Sequence, residues 1–391
     1  MTDQQLVNFR DQAAIVGVGQ TEFSKNSGVS TLTLALNAIT AALGDAGLTA
    51  QDVDGVACHR VGDSASAAVV AESLGVQDLA YFVDQFGGGS ASHSVVGNAA
   101  MAVATGQASC VVCWRSVNAR SEFRMGGSNR PAPDTTESQY QAPFGFFAPP
   151  QQFAMHARAY MEEVGATELD LGAVAIAHRK HAVRNPRALM SEPLTLEAYL
   201  ESRWIADPLR LYDCSLETDA AVAVVVTRAD RAQDLASVPV TIRAACWGSG
   251  QTLYSNRRSD VWRSGASDAS ERLWSAAGLG PSDVDVAQFY DAFTPLVLIQ
   301  LEDYGFCKRG DAGSFVASGS TDLGGMLPAN THGGHLSAGY VHGLDHLVEA
   351  VLQLRGQCGA RQVQDAEIAL STGQPGFVAG STSALVLKRA T

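Results

Sequence analysis

At 391 residues, 46% hydrophobic and 17% charged, the chain is longer than a single core usually supports and has the composition of close-packed globular structure rather than disorder. A net charge of -13 argues against a nucleic-acid partner, whose phosphates are neutralised by Lys and Arg. It leaves room for a small phosphorylated ligand, for which a local cluster such as Arg257, Arg258 and Arg263 would suffice, the alternative being a solvated surface.

Residues Met1 to Gln12 are polar, and the first apolar run, Ala13 to Val18, is too short for a signal or membrane segment, so a cytoplasmic chain is expected. Its seven scattered cysteines read as reduced thiols. Cys110 and Cys113 form a C-x-x-C, but within an apolar run, Ala108 to Trp114, that reads as a buried strand.

A strand over Ala13 to Gly17 leads into an amphipathic helix over Thr31 to Ala46, which ends in Ala46-Gly47-Leu48-Thr49-Ala50-Gln51-Asp52-Val53-Asp54. The same pattern returns as a strand over Val240 to Ala245, a helix over Ala269 to Ala277, and Ala277-Gly278-Leu279-Gly280-Pro281-Ser282-Asp283-Val284-Asp285. An apolar strand follows each copy, so the spacing predicts two βαβ units with parallel strands. Gly88-Gly89-Ser90 opens a helix to Gly106, and Gly339-Tyr340 one to Gly356, each followed by a strand (Ala108 to Trp114; Glu367 to Ser371). Strands over Ala220 to Thr227 and Ser383 to Lys388 close the two sheets. The division is therefore 1–236 and 237–391, with 115–213, which lacks the repeat, inserted as a cap in the first half.

Two blocks carry a resemblance. Asn330-Thr331-His332-Gly333-Gly334-His335-Leu336-Ser337-Ala338-Gly339-Tyr340-Val341-His342-Gly343 matches N-x-x-G-G-x-x-x-x-G-H-P-x-G without a gap, and Tyr290-Asp291-Ala292-Phe293 matches an N-E-A-F or H-D-C-F block. With the duplicated halves, these resemble the thiolase superfamily, especially sterol-carrier-protein-x-type thiolases and the thiolase-like aldolases named as lipid-transfer proteins. The resemblance implies an α/β thiolase fold in a five-layer α-β-α-β-α arrangement, usually homodimeric.

The chain departs from thiolases where their chemistry lies. Tyr340 stands at the catalytic histidine and Tyr290 at the first position of the other block; Gly89 falls at the nucleophile, and no cysteine follows Cys358. Thiolysis requires a cysteine thiolate, so its loss removes that reaction.

Two tyrosines in these places resemble aldolases of bacterial steroid side-chain degradation. The resemblance implies aldol cleavage of a β-hydroxyacyl-CoA, a steroid side-chain 17-hydroxy-20-carboxyl-CoA thioester, to a ketosteroid and propionyl-CoA. It implies no cofactor in this chain, coenzyme A being part of the substrate. It also implies a small OB-fold, zinc-ribbon acyl-CoA-associated partner. A phenol, with a pKa of about 10, both donates and accepts, and so suits both ends of a retro-aldol reaction. Tyr290 is expected to take the hydroxyl proton and Tyr340 to return one to the enolate, the reverse being open. A helix start at Tyr340 would favour its phenolate, and burial would oppose it. The enolate oxygen would be held by Gly89 and Ser90, by His332, or by the loop from Gly376 to Ser381. A non-catalytic acyl-CoA or sterol carrier, and cysteine-independent Claisen or decarboxylation chemistry, remain as alternatives.

Other clusters admit two readings. His332, His335, His342 and His346 are dense enough for a metal or serve loop and helix packing; His178 and His181, beside Arg179, Lys180 and Arg184, form a solvated face or meet CoA phosphate; Tyr140 to Phe147 lines a pocket or packs between subunits.

Overall fold

The structure is a computed structural model that describes residues 9–122, 124, 126, 136–146, 148–250, 252, 258–374 and 381–390. In chain order the first half contains β1 (Ala13–Gln20), α1 (Thr31–Ala46), β2 (Gly55–Arg60), α2 (Ala67–Leu74), β3 (Tyr81–Phe86), α3 (Ser90–Ala104) and β4 (Cys110–Asn118). The insertion adds α4 (Thr136–Gln141), α5 (Pro149–Val164), α6 (Glu168–Ala182), α7 (Leu196–Glu201) and a short hairpin of β5 (Trp204–Ala206) with β6 (Leu209–Arg210). The chain then returns through β7 (Asp219–Arg228) and α8 (Ala229–Ala232). The second half comprises β8 (Val240–Gly248), α9 (Ala266–Ala277), β9 (Val286–Gln288), α10 (Thr294–Asp303), α11 (Ala312–Ala317), α12 (Gly334–Ser337), α13 (Leu344–Leu354), β10 (Ile368–Gly373) and β11 (Thr382–Arg389).

The repeated sequence does the same structural work twice. Gly47 and Gly278 end α1 and α9 at φ 71° and 63°, where a glycine carries no Cβ penalty. The side chains of Asp52 and Asp283 then accept from the backbone of Thr49 and Gly280. Asp54 accepts from the backbone N–H of Ser109 and Cys110, and Asp285 from those of Glu367 and Ile368, so each aspartate fixes the neighbouring strand, β4 or β10.

Strand order repeats accordingly, β3-β2-β4-β7-β1 in the first half and β8-β11-β10-β9 in the second. The βαβ strands run parallel as expected, but β7 and β11 intervene antiparallel between β1 and β4 and between β8 and β10. The halves join where β1 pairs with β8 at Ala14–Thr241 and Ile15–Val240. On β7, Val222, Val224 and Val226 face one core while Ala221, Ala223 and Val225 face another. Both faces of the strand are therefore covered, which its unbroken apolar run requires. Helices α3 and α13 touch strands of both halves, α1 and α2 cover the first sheet, and α9 packs on β8 and β11. These are the five layers of the thiolase fold.

Two expectations are corrected and one holds. Strand β4 runs on through Asn118, so Arg115 belongs to the sheet, paired with Val222, and not to the insertion. Cys110 and Cys113 lie on opposite faces of β4, in different cores, as the buried-strand reading expects. Gly339-Tyr340 does not open a helix: His342 and Gly343 turn the chain at φ 55° and 91°, and α13 starts only at Leu344. The insertion leaves the first half but packs on the second, where Phe153, Tyr160 and Leu171 share a core with Phe289, Leu296 and Leu298.

Candidate active site

Tyr290 lies between β9 and α10. Its N–H donates to Thr372 Oγ1 on β10 (2.9 Å), and its carbonyl accepts from Gln300 Nε2 on α10 (2.8 Å). Tyr340 is clamped from the first half: its N–H donates to Thr218 Oγ1 (3.0 Å), whose hydroxyl donates to the Tyr340 carbonyl (2.7 Å). These anchors bring the two phenol oxygens to 2.9 Å, with the edge of the His335 ring against both aromatic rings.

Gly89 is the third member. Its backbone is right-handed, at φ -57° and ψ -27°, which any residue adopts. Space is what demands glycine there: a Cβ would run into the Tyr290 ring and the Gln374 carbonyl. The tyrosine thus fills the volume a cysteine side chain would need. Ser92 Oγ donates to the Gly89 carbonyl (2.7 Å) and is backed by His93, whose other nitrogen meets Ser371 Oγ at 2.6 Å.

Burial dominates the electrostatics of the pair. It pushes the Tyr290 phenol well above its ordinary value, and Tyr340, Asp345 and Asp291 push it further. Burial also raises Tyr340, but there the hydrogen bond from Tyr290 and the charge of Arg115 pull the other way. Tyr340 is therefore the easier of the two to ionise, and once ionised it accepts from Tyr290.

Behind the pair lies a buried ionic cluster. His346 places Nε2 2.8 Å from Asp291 and Nδ1 3.2 Å from Asp345, while His178 Nδ1 lies 2.8 Å from Asp291. The donor atoms of Asp291, His335 and His346, and of His332, Asp345 and His346, are close enough to surround a cation. His346 belongs to both groups and is itself their cationic member. Burial alone would lower its pKa, but Asp345 and Asp291 outweigh burial and raise it to about 10. Both carboxylates stay well below their ordinary range, burial being overcome by the imidazoles around them.

A stability prediction follows from the sign of the His346 shift. Its folded value lies above the ordinary 6.5, so its stabilisation is complete below about pH 6.5 and is lost as pH rises through about 10. Thermal melts from pH 7 to 10 should show stability falling with pH. His346→Gln should be less stable by about 3–5 kcal/mol at pH 7, having left two buried carboxylates without their cation, and should have a flatter alkaline slope. Equal slopes in both proteins would refute this account of the cluster.

The expected site residues separate. Tyr290, Tyr340 and Gly89 come together, and Ser90, the first residue of α3, accepts from Ser381 Oγ at 3.0 Å. His332 lies elsewhere, on a small cleft with Gln20, Asn185 and Glu349, because Gly333 and Gly334 turn the loop away at φ 103° and 62°. Gly376 and Arg257 fall outside the described residues, as does Phe147. Arg258 is buried between Asp260 and Asp268, neither solvated nor free for a phosphate. His178 and His181 are buried too, so their helix face is not a solvated one. Tyr140 and Phe144 point outward.

Sequence reasoning missed Thr218 and Arg115, and it did not place His178 on Asp291. The unbroken apolar run of β4 could have flagged Arg115: an arginine continuing a fully buried strand must have a buried counter-charge.

A cavity of ≈ 540 Å³ reaches Tyr340 between the insertion and the second half. Its wall includes Met190, Ile205, Tyr212, Phe293 and Leu336, and Lys25, Arg120, Arg124 and Arg203 add cationic groups. Tyr290 is fully buried behind Tyr340.

Residues 249–389 match the family model described as thiolase C-terminal domain-like. The chain is 45% identical over 388 residues to a 17-hydroxy-3-oxo-4-pregnene-20-carboxyl-CoA lyase of Mycobacterium tuberculosis, an alignment covering 96% of this chain and 99% of that protein. The chain belongs to the thiolase-like family. A steroid side-chain-cleaving aldolase of Thermomonospora curvata is 44% identical over 387 residues, covering 96% of this thiolase-like chain and 97% of the relative. Among solved structures an Ltp2-ChsH2(DUF35) aldolase superposes with a TM-score of 0.91 at 43% identity, covering 98% of this chain and 99% of that one. No helix among the described residues is long and apolar enough to cross a membrane.

Proposed function

We propose that this chain is a carbon–carbon lyase that cleaves a β-hydroxyacyl-CoA by a retro-aldol reaction, converting a steroid side-chain 17-hydroxy-20-carboxyl-CoA thioester to a ketosteroid and propionyl-CoA. The observation that carries this reading is the contact of two phenols at 2.9 Å beside a nucleophile position that Tyr290 closes to any side chain. The names of the two relatives, a carboxyl-CoA lyase and a side-chain-cleaving aldolase, support it.

In the reaction the β-hydroxyl loses its proton as the bond to the α-carbon breaks. The electron pair moves onto the α-carbon and into the thioester carbonyl, and the α-carbon then gains a proton. One proton leaves oxygen and one arrives on carbon, so the site ends in the state in which it began and needs no resident cofactor. Tyr340, the easier of the two to ionise, takes the hydroxyl proton as its phenolate and then gives a proton to carbon as a phenol, so the cycle closes on the phenolate with which it opened.

The roles differ from those expected from sequence. Tyr340 meets the cavity and Tyr290 lies behind it, so Tyr340 takes the hydroxyl proton while Tyr290 donates into its oxygen. One carbon separates the β-oxygen from the α-carbon, so the Tyr340 phenol serves both in turn. The enolate oxygen falls to the backbone N–H groups of Gly89 and Ser90 at the start of α3, where the helix dipole favours negative charge. His332, on another cleft, takes no part.

The proposed assembly is a homodimer with a small OB-fold, zinc-ribbon acyl-CoA-associated protein. The similar aldolase structure, Ltp2-ChsH2(DUF35), is named for two components, which supports a second protein. The cysteines, all unpaired, accord with a cytoplasmic location.

The test is to offer a steroidal β-hydroxyacyl-CoA and the matching β-ketoacyl-CoA in parallel, with the partner present. Ketone and a shorter acyl-CoA from the first substrate alone are expected. Turnover of the second alone would replace this reading with Claisen or decarboxylation chemistry, and binding without turnover of either would leave a carrier.

A further inference from the structure

Arg115 is fully buried on β4, and the reaction as described gives it no bond to make. Its Nη1 and Nη2 each lie 2.7 Å from an oxygen of Asp63, and Nη1 also reaches the His59 carbonyl at 3.4 Å. Its Nε and Nη2 lie 3.1 and 2.8 Å from His342 Nδ1. A guanidinium only donates, so His342 Nδ1 accepts and the proton of the neutral ring sits on Nε2. Burial first and Arg115 second keep this imidazole uncharged.

His342 occupies an unusual backbone position. Its φ of 55° is left-handed, a region few non-glycine residues adopt, and such a conformation persists where the surroundings over-determine it. The ring lies 4.7 Å from the Tyr340 ring, and Nε2 is buried without a hydrogen-bond partner among the described residues. The edge of the His59 ring packs against it at 5.8 Å.

The geometry points to Arg115 as a positioning residue for Tyr340: anchored on Asp63, it fixes the tautomer and ring of His342 against the phenol and sets a buried cation where the tyrosine takes a proton. The inference rests on the reading of Tyr340 as the phenol that meets the substrate. A charge held in a low-dielectric interior acts more strongly on a developing phenolate than it would in water. The other charged and titratable groups about Tyr340 are Tyr290 between β9 and α10, His335 on α12, Asp345 on α13, Asp63 after β2 and His59 on β2. Of these, Asp63 and Asp345 oppose ionisation of Tyr340, and Tyr290 favours it.

The test measures kcat and KM against pH for retro-aldol cleavage by the complex with its partner. Arg115→Gln should lower kcat about 10- to 100-fold near neutral pH, with KM within about threefold, and the deficit should shrink as pH rises and ionisation of the phenol becomes easier. Arg115→Lys, which keeps the charge, should recover most of the loss. A kcat within about twofold of wild type, or a loss independent of pH and not relieved by lysine, would overturn the inference.

If Arg115→Gln does not fold, His342→Asn decides. It leaves the Arg115–Asp63 pair in place and tolerates the left-handed backbone. A fall in kcat of about tenfold at constant KM supports the inference, and an unchanged kcat overturns it. Tyr340→Phe in the same assay separates the two levels. An active Tyr340→Phe would sink the tyrosine reading itself, whereas an inactive one beside a fully active Arg115→Gln would sink only the role of Arg115.

Discussion

Tyr340→Phe is expected to lower kcat for retro-aldol cleavage by about 10²-fold or more while leaving KM within a few-fold. The substitution removes one oxygen, the one that meets both the cavity and Tyr290. The ring, its contacts with His335 and His342, and the Thr218 clamp on its backbone all remain, so the fold should be undisturbed. Tyr290→Phe should cost less, about tenfold, because it removes the donor that steadies the Tyr340 oxygen but not the group that meets the substrate. Equal losses from the two variants would assign both phenols to direct contact with the substrate.

Gly89→Cys should not restore thiolase chemistry and should damage the protein. The new Cβ would overlap the Tyr290 ring and the Gln374 carbonyl, one of them backbone that cannot step aside cheaply. Overpacking of this kind costs about 1–3 kcal/mol, and displacing the Tyr290 ring should abolish the 2.9 Å contact with Tyr340 and with it most lyase activity. Adding Tyr290→Ala to Gly89→Cys opens the space around the ring. The double variant should not recover cleavage, and truncating the fully buried tyrosine should lower stability further in thermal melts. A Gly89→Cys protein with wild-type stability and full lyase activity would contradict the view that tyrosine has taken the volume of the nucleophile.

The elements that could be read from sequence are those whose cause is local. The copies of the Ala-Gly-Leu motif announced two helix–turn–strand units because Gly47 and Gly278 end helices, and Asp52, Asp54, Asp283 and Asp285 bond to backbone a few residues away or on the next strand. Tyr290 and Tyr340 could be found because each replaces a motif residue at a fixed place. Where contacts cross between halves, the residues gave no such signal. Thr218 precedes β7 in the first half yet holds Tyr340 in the second. His178 sits among basic residues that read as a solvated face, but the insertion turns that face inward onto Asp291. Arg115 read as the first residue of the insertion; only the fold shows Asp63 and His342 arriving to meet it.

Retaining the thiolase fold without its cysteines has a simple physical rationale. Both reactions pass through an enolate of an acyl-CoA, so an N-terminal helix amide array beside the α-carbon serves either one. What changes is the partner of that array. A thiolate makes a covalent bond, whereas the proposed pair of buried phenols would move a proton from oxygen to carbon and keep nothing.

The most direct measurement is to run the cleavage in D₂O, with the partner protein present, and to weigh both the products and the intact chain by mass spectrometry. The account predicts a ketosteroid, propionyl-CoA carrying one deuterium at its α-carbon, and a chain whose mass never increases by an acyl group. An acylated chain, or a shorter acyl-CoA without deuterium, would contradict it.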